Sequence, residues 1–225
     1  MSREGGELDE VLDLVAHDLR NPLSAILTAA EVLRRRTDLQ PGLERTVSRL
    51  RSSAERMATM IDQLEQWARA QVGSGPAPVR GEADLHQLCR ALVEDLPPEQ
   101  AARVRLTLDG DGRGSWDAEQ LAQLLVTVVG NALDHGDPEA PVEVRASGDE
   151  KSVRLEVENA GPPIERALEP VLFDPVARRR AQRPTRPRGL GFGLWLARAI
   201  AVAHGGSLDF RSTENSTIFT LQLPR

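Results

Sequence analysis

The stretch VAHDLRNPLSAI, Val15 to Ile26, sets an ionisable histidine, His17, beside an acid, Asp18, just ahead of a proline, Pro22, in what otherwise reads as a helix. Its apolar residues belong to a longer run, Leu8, Leu12, Val15, Leu19, Pro22, Ile26, Ala29 and Leu33, that alternates steps of four and three. A second run of the same kind follows at Leu43, Val47, Leu50, Ala54, Met57, Ile61, Leu64 and Ala68. Steps of four and three make a heptad seam along an α-helix. Between the runs lies TDLQPG, where Pro41 and Gly42 interrupt the chain, and Arg34, Arg35 and Arg36 sit where cations suit the negative end of a helix dipole. These features predict a helical hairpin. One hairpin has too little apolar surface to hide both seams, so two copies are expected to pair as a dimeric four-helix bundle. A purely structural coiled coil fits the same periodicity.

With Val15 and Leu19 on the seam, His17 falls on the outward face, and Asn21 and Ser24 follow on roughly the same side. A merely solvated histidine fits this placement. So does nucleophilic chemistry: a neighbouring carboxylate orients an imidazole, favours one tautomer and stabilises its proton while the other nitrogen attacks. Pro22 removes a backbone hydrogen bond and bends the helix next to the ring. The Asn21 amide is placed to hold a water for the reverse reaction.

Composition narrows the classes. The 225 residues are 40% hydrophobic and 28% charged with a net charge of −6, an ordinary soluble balance that disfavours nonspecific nucleic-acid binding. The single cysteine, Cys89, has no internal partner, which fits a reducing compartment. No apolar run reaches the roughly 18 residues of a membrane span, and the start MSREGGELDE has no signal-peptide pattern. The expectation is a cytoplasmic protein or a soluble piece of a longer one, with no membrane segment of its own and sensor input from another domain or chain.

VGSGPAPV, residues 72–79, reads as a linker. Beyond it helix and strand signals mix. DLHQLCRALVEDL and GLWLARAIAVAHGG read as helices, and DAEQLAQLLVTVVGNALDHG as a long amphipathic helix with Asp117 at its start. VRLTLDG alternates as a strand does, VEVRASGDEKSVRLEVEN as a hairpin turning at Gly148 to Glu150, and SLDFRSTENSTIFTLQLP as a final hairpin. The expected architecture is α+β: the hairpin over residues 1–71, a linker over 72–80, and a two-layer α/β sandwich over 81–225.

HDLRNPLSAI resembles the H-box of sensor histidine kinases, and the hairpin resembles their dimerisation and histidine-phosphotransfer domain, the HisKA type. The second half is similar to that family's ATP-binding domain, HATPase_c, of the Bergerat or GHKL type. QLLVTVVGNALDHG resembles the N-box, VENAGPPI the first glycine box, LFDPVAR the F-box and GLGFGL the second glycine box. Five boxes in order cover nearly the whole chain. The resemblance implies that His17 accepts a phosphoryl group from ATP, with Asp18 as the adjacent acid and Asn21 supporting a phosphatase step. It implies a nucleotide pocket of Asn131, His135, Asn159, Gly161, Arg178, Gly189, Gly191, Gly193 and Leu194, with Asn131 as the Mg²⁺ ligand. An amide oxygen is a hard donor suited to Mg²⁺, and glycines let backbone N–H groups close over phosphates. The partners implied are a second copy of the chain and a response-regulator receiver domain.

The arginine-rich run ARRRAQRPTRPR occupies the place of the family's ATP lid. It contains no aromatic residue, and the chain has no tyrosine, so a nucleic-acid site is the weaker reading. Five positions depart from the family pattern. Asn159 stands for the usual Asp, Pro163 for a glycine, Thr127 for an Asn, Asp134 for a Lys and Val176 for a Phe. Two readings follow: an active kinase with weakened adenine binding, and a pseudokinase scaffold that binds nucleotide or a regulator without catalysis. A gyrase-like ATPase fits the H-box hairpin poorly.

Overall fold

The protein is described by a computed structural model over residues 23–24, 26–33, 41–71, 77–175, 177–178 and 192–225. The chain separates into two compact units with a boundary between Gly75 and Pro76, and Phe192 is counted with the first. In the first, residues 23–24 and 26–33 are helical (α1), and α2 spans Pro41–Gln71. The heptad reading holds for α2, but its two sets of positions part company. Val47, Ala54 and Ala68 are buried, while Leu43, Leu50 and Met57 remain 45%, 50% and 52% exposed. In α1 the buried residues are Leu23 and Ala30, one place along from the predicted Pro22 and Ala29, whereas Ile26 and Leu33 stay substantially exposed. Each helix thus carries two apolar stripes, each repeating at intervals of seven, one buried and one left open. Pairs such as Arg51–Glu55 at 3.4 Å lie on the outer surface of α2 and contribute little, as solvent-exposed ion pairs do.

The second unit is a two-layer sandwich. Its elements run β1 Gly81–Asp84, α3 Leu85–Asp95, α4 Pro98–Ala101, β2 Val104–Gly110, β3 Arg113–Trp116, α5 Ala118–His135, β4 Val142–Gly148, β5 Ser152–Ala160, a 3₁₀ turn Glu169–Val171, α6 Phe192–Ala203, β6 Ser207–Ser212 and β7 Ser216–Pro224. Five strands form one sheet in the order β2-β4-β5-β7-β6, with β2 and β4 parallel and the other pairs antiparallel. The short strands β1 and β3 pair separately.

Strand alternation builds the core. Val142, Val144 and Ala146 of β4, Val153, Leu155 and Val157 of β5, and Phe219, Leu221 and Leu223 of β7 are buried on one sheet face. They pack with Leu121, Leu124, Leu125, Val128, Val129 and Ala132 of α5, with Leu196, Ala197 and Ile200 of α6, and with Leu85 and Cys89 of α3. The intervening residues form ion pairs such as Arg145–Glu158 at 3.0 Å and Arg105–Glu143 at 3.3 Å on the solvated face. Burial pushes the Cys89 thiol up to about 12, countered in part by the charge of Arg90, so this cysteine is an inert core residue.

The turns follow the side-chain chemistry. Asp149 Oδ1 accepts the N–H groups of Lys151 and Ser152, both at 2.8 Å, which closes the β4–β5 hairpin. Gly205, with φ +79°, ends α6 in a conformation that glycine alone adopts without strain. Asp117 caps α5: its Oδ1 accepts Glu119 N–H and Gln120 N–H, both at 3.1 Å, and its Oδ2 accepts Val79 N–H at 2.8 Å.

The N–H groups of Gln120, Val79 and Glu119 hold the Asp117 carboxyl below the usual carboxylate range. A depressed carboxyl contributes stability that is complete above the unfolded value, near pH 4, and is lost as pH falls through the folded value. Asp117→Ala is expected to cost about 1 kcal/mol in urea unfolding at neutral pH. Asp117→Asn is expected to retain most of the cap while losing that part of the acid sensitivity, which unfolding curves between pH 3 and 7 would read directly.

Candidate nucleotide site

The site lies where α5 ends against the end of β5. Asp137 N–H donates to Ala160 O at 2.8 Å, and Gly136 N–H closes the helix on Ala132 O at 2.9 Å. The approach is so close that a Cβ on Gly136 would stand 2.6 Å from Ala132 O and 3.0 Å from Asn159 Cβ. Gly161 follows with φ +149°, its N–H on Asn215 O at 3.0 Å, and a Cβ there would meet Asp137 N and His135 O at 3.4 Å. Glycine at both positions lets two backbones meet without side chains between them. This contact brings together Asn131 and His135 on the last turns of α5 with Asn159 and Gly161 at the end of β5.

Asn159 is 5% exposed. It continues the inward series Val153, Leu155 and Val157, so a carboxamide ends an otherwise apolar face. Its Nδ2 donates to Ala160 O at 3.2 Å. A carboxamide in this orientation offers an acceptor oxygen to a planar base, without formal charge. Across the strand pair Asn159 faces Thr217, which is 6% exposed. Thr217 Oγ1 lies 3.2 Å from Ser212 Oγ, which accepts Ile164 N–H at 2.9 Å. The sequence reading missed this polar set, although parity along TIFTLQL, with Phe219, Leu221 and Leu223 inward, places Thr217 on the same face.

Asn131 is partly exposed and His135 is exposed, on the helix end nearest this corner. Arg103, also unrecognised in the sequence, clamps that end: its guanidinium donates to Leu133 O at 3.3 Å and Asp137 O at 2.8 Å, a cation on the negative pole of α5. Thr127 Oγ1 donates to Gln123 O at 2.9 Å and so serves its own helix. Asp134 and Pro163 are exposed.

Arg178 sits in a helical turn, its N–H on Asp174 O at 2.8 Å. Burial lowers its guanidinium below arginine's ordinary value, and among the described residues no carboxylate or carbonyl pairs with it. A half-buried, unpaired guanidinium is suited to a phosphate. Gly193 and Leu194 start α6; Gly193 is partly exposed, but Leu194 is 4% exposed and belongs to the core cluster. His17, Asp18, Asn21, Gly189, Gly191 and Val176 lie outside the described residues.

Among the described residues no three His, Cys, Asp or Glu side chains converge on a metal position. A single amide oxygen at Asn131 fits a Mg²⁺ that draws its other ligands from phosphates and water. A cavity of about 540 Å³ lies elsewhere on this unit, lined by Phe173, Trp195, Arg198, Val202 and Phe210 and by none of Asn131, His135, Asn159, Gly161 and Arg178. Arg198 stacks over Phe173 there, 4.8 Å from the ring centre.

Comparison with known proteins places both units. Residues 7–73 match the His Kinase A (phospho-acceptor) domain, and residues 116–225 match the histidine kinase-, DNA gyrase B- and HSP90-like ATPase family. A probable sensor histidine kinase of Mycobacterium tuberculosis, TcrY, is 30% identical over 222 residues, which is 93% of this chain and 44% of TcrY. A bacteriophytochrome of Pseudomonas aeruginosa is 31% identical over 95% of this chain and 29% of its own length. The chain therefore spans less than half of these two relatives. Among solved structures, full-length ShkA in complex with AMPPNP superposes with a TM-score of 0.72 at 21% identity, over 96% of this chain and 45% of that one. Histidine kinase ThkA in complex with the response regulator TrrA superposes with a TM-score of 0.61 at 22% identity, over 96% of this chain and 61% of that one. With a phospho-acceptor domain and an ATPase domain matched in that order, the chain belongs to the sensor histidine kinases and carries their catalytic core.

Proposed function

We propose that this chain is the catalytic core of an ATP-dependent protein histidine kinase that phosphorylates its own His17 and passes the phosphoryl group to an aspartate of a response-regulator receiver domain. The observation that carries the reading is the corner at which Asn131, His135, Asn159 and Gly161 meet, with the unpaired Arg178 guanidinium on the same unit. In this reading Asn159 and its neighbour Thr217 hold the base, and Arg178 holds the terminal phosphate. The glycines Gly189, Gly191 and Gly193 let backbone approach the phosphates, and Leu194 supports that loop from the core. Asn131 would hold Mg²⁺, which when bound screens the phosphate charge. The His17 nitrogen forms the N–P bond as the bond from the γ-phosphorus to its bridging oxygen breaks and ADP departs, while Asp18 holds the proton on the other ring nitrogen. Asn21 positions the water of the reverse phosphatase step.

The domains are then residues 1–71 for dimerisation and phosphotransfer, 72–80 for the linker and 81–225 for ATP binding. The end of α2 at Gln71 and the start of β1 at Gly81 support these limits. The working form is a homodimer, supported by the open stripe of Leu43, Leu50 and Met57. The setting is cytoplasmic: no helix among the described residues is long and apolar enough to cross a membrane, and Cys89 is a free thiol.

Four measurements test this. Incubation with γ-labelled ATP is expected to leave an acid-labile, base-stable label that His17→Ala abolishes; equal label in the variant ends the proposal. Mg²⁺-dependent nucleotide binding without any label would instead support the scaffold reading, which the neutral Asn159 favours. Asn159→Asp exchanges a satisfied amide for a buried charge, so it is expected to lower the stability of the nucleotide-free protein by about 1–3 kcal/mol. The same variant is expected to tighten ATP binding by about tenfold through a charge-assisted bond, read by calorimetry. Leu50→Arg would bury an unpaired charge at a dimer seam, and sedimentation is expected to show self-association weakened by at least about 100-fold.

A further inference from the structure

His204 is fully buried at the end of α6. Its two ring nitrogens bind two different elements. Asp117 N–H reaches Nε2 at 3.0 Å, and Nδ1 lies 2.8 Å from Ile200 O. A backbone N–H only donates, so Nε2 must accept and the proton must sit on Nδ1, donating to Ile200 O. The ring is therefore neutral and in one tautomer, set by its partners.

Asp117 is the cap of α5, so this ring fastens the end of α6 to the beginning of α5. The node lies at the sheet end opposite the nucleotide corner. Trp116 Nε1–H donates to Pro224 O at 2.8 Å at the end of β7, whereas Asn159 pairs with Thr217 at its beginning. From the node α5 runs 18 residues, about 27 Å, to the corner where Gly136 meets Asn159. The start of α6 carries Gly193 and Leu194, and its end is held by His204. Two helices pinned at one end define a gap at the other. The exit of the linker is tied to the same node, through Val79 N–H on Asp117 Oδ2 at 2.8 Å and Arg80 on Ala203 O at 3.4 Å.

We infer that His204 is a positioning residue for nucleotide binding: its neutral ring sets the relation of α5 to α6, and hence the spacing between Asn131 on α5 and the start of α6 at Gly193 and Leu194. The inference rests on the nucleotide site proposed above. It makes a discriminating demand, because only the Nε2 side reaches Asp117. In His204→Gln the side-chain oxygen takes the place of Nε2 and can still accept Asp117 N–H. In His204→Asn the shorter amide takes the place of Nδ1, serves Ile200 O and leaves Asp117 N–H unpaired.

The probe is the full chain titrated with Mg²⁺ and AMPPNP, alongside thermal melting and amide hydrogen exchange. His204→Gln is expected to bind within about threefold of the parent and His204→Asn about tenfold more weakly, although both melt within a few degrees of each other. By reciprocity, saturating nucleotide should slow exchange of the Asp117 and Val79 amides in the unaltered protein by a similar factor of about ten. Equal weakening in both variants, in proportion to melting, reduces His204 to a structural role and overturns the inference. So do amides that ignore bound nucleotide, and that arm stands even if a variant fails to fold. Absence of any nucleotide binding by the parent chain overturns the site and the inference together; binding with unresponsive amides removes only the role of His204.

Discussion

The parity of β5 is the constraint on which the second unit depends. Val153, Leu155 and Val157 point to the helices, while Arg154, Glu156 and Glu158 point to water, so a slip of one residue would bury three charges. The same parity carries Asn159 inward at the next step. A carboxamide is thereby delivered to the rim of an apolar face by the register that builds the core. Both neighbouring strands respect it, through Val142 on one side and Thr217 on the other. The corner is then closed by α5, whose last turn reaches Ala160 only because Gly136 has no side chain. Core packing and site geometry are consequences of one pairing register.

The first unit obeys a different constraint. A helix in a two-helix hairpin has one neighbour within its chain, yet α1 and α2 each carry two apolar stripes. The set at Val47, Ala54 and Ala68 is buried, and the set at Leu43, Leu50 and Met57 is not. Exposing three such side chains at seven-residue intervals has no stabilising role in an isolated hairpin. Burial at roughly 25 cal/mol per Å² gives a second copy of the same hairpin a reason to dock. Periodicity in the sequence shows that a seam exists. It cannot tell which residues of a broad stripe face inward, and that is why Leu23 and Ala30 took the places expected for Pro22 and Ala29.

Much of the second unit was legible because its signals are local. The Asp117 cap, the Gly148–Glu150 turn, the Gly205–Gly206 stop and strand alternation each depend on a few adjacent residues. Asn131, His135, Asn159 and Gly161 were legible only through ordered motifs, since nothing local says that the end of α5 meets the end of β5. Arg103 and His204 were invisible for the opposite reason. Each acts across a long separation, Arg103 on Leu133 and Asp137, His204 on Asp117, and each sits in a segment whose local pattern is complete without it. Leu194, read as part of the pocket because of its motif, belongs by burial to the core.

Burial also decides which departures from the family pattern carry weight. Asp134 puts a negative charge where a cation is usual, but it is exposed, and solvent and salt screen it over about 8–10 Å. Thr127 spends its hydroxyl on Gln123 O, a bond within its own helix that asks nothing of a ligand. Asn159 differs from both. It is nearly sealed from water, so a charge placed there would be poorly solvated, and its Nδ2 already satisfies Ala160 O. A carboxylate could not make that bond and would lie beside a carbonyl oxygen in a poorly solvated corner. In the proposed nucleotide site the amide therefore suits the empty pocket, whereas a carboxylate would suit the filled one, where a donor from the base offsets its burial. On that proposal this change, among those within the described residues, moves free energy from the nucleotide-bound state to the unbound state, at the position that the β5 register turns inward.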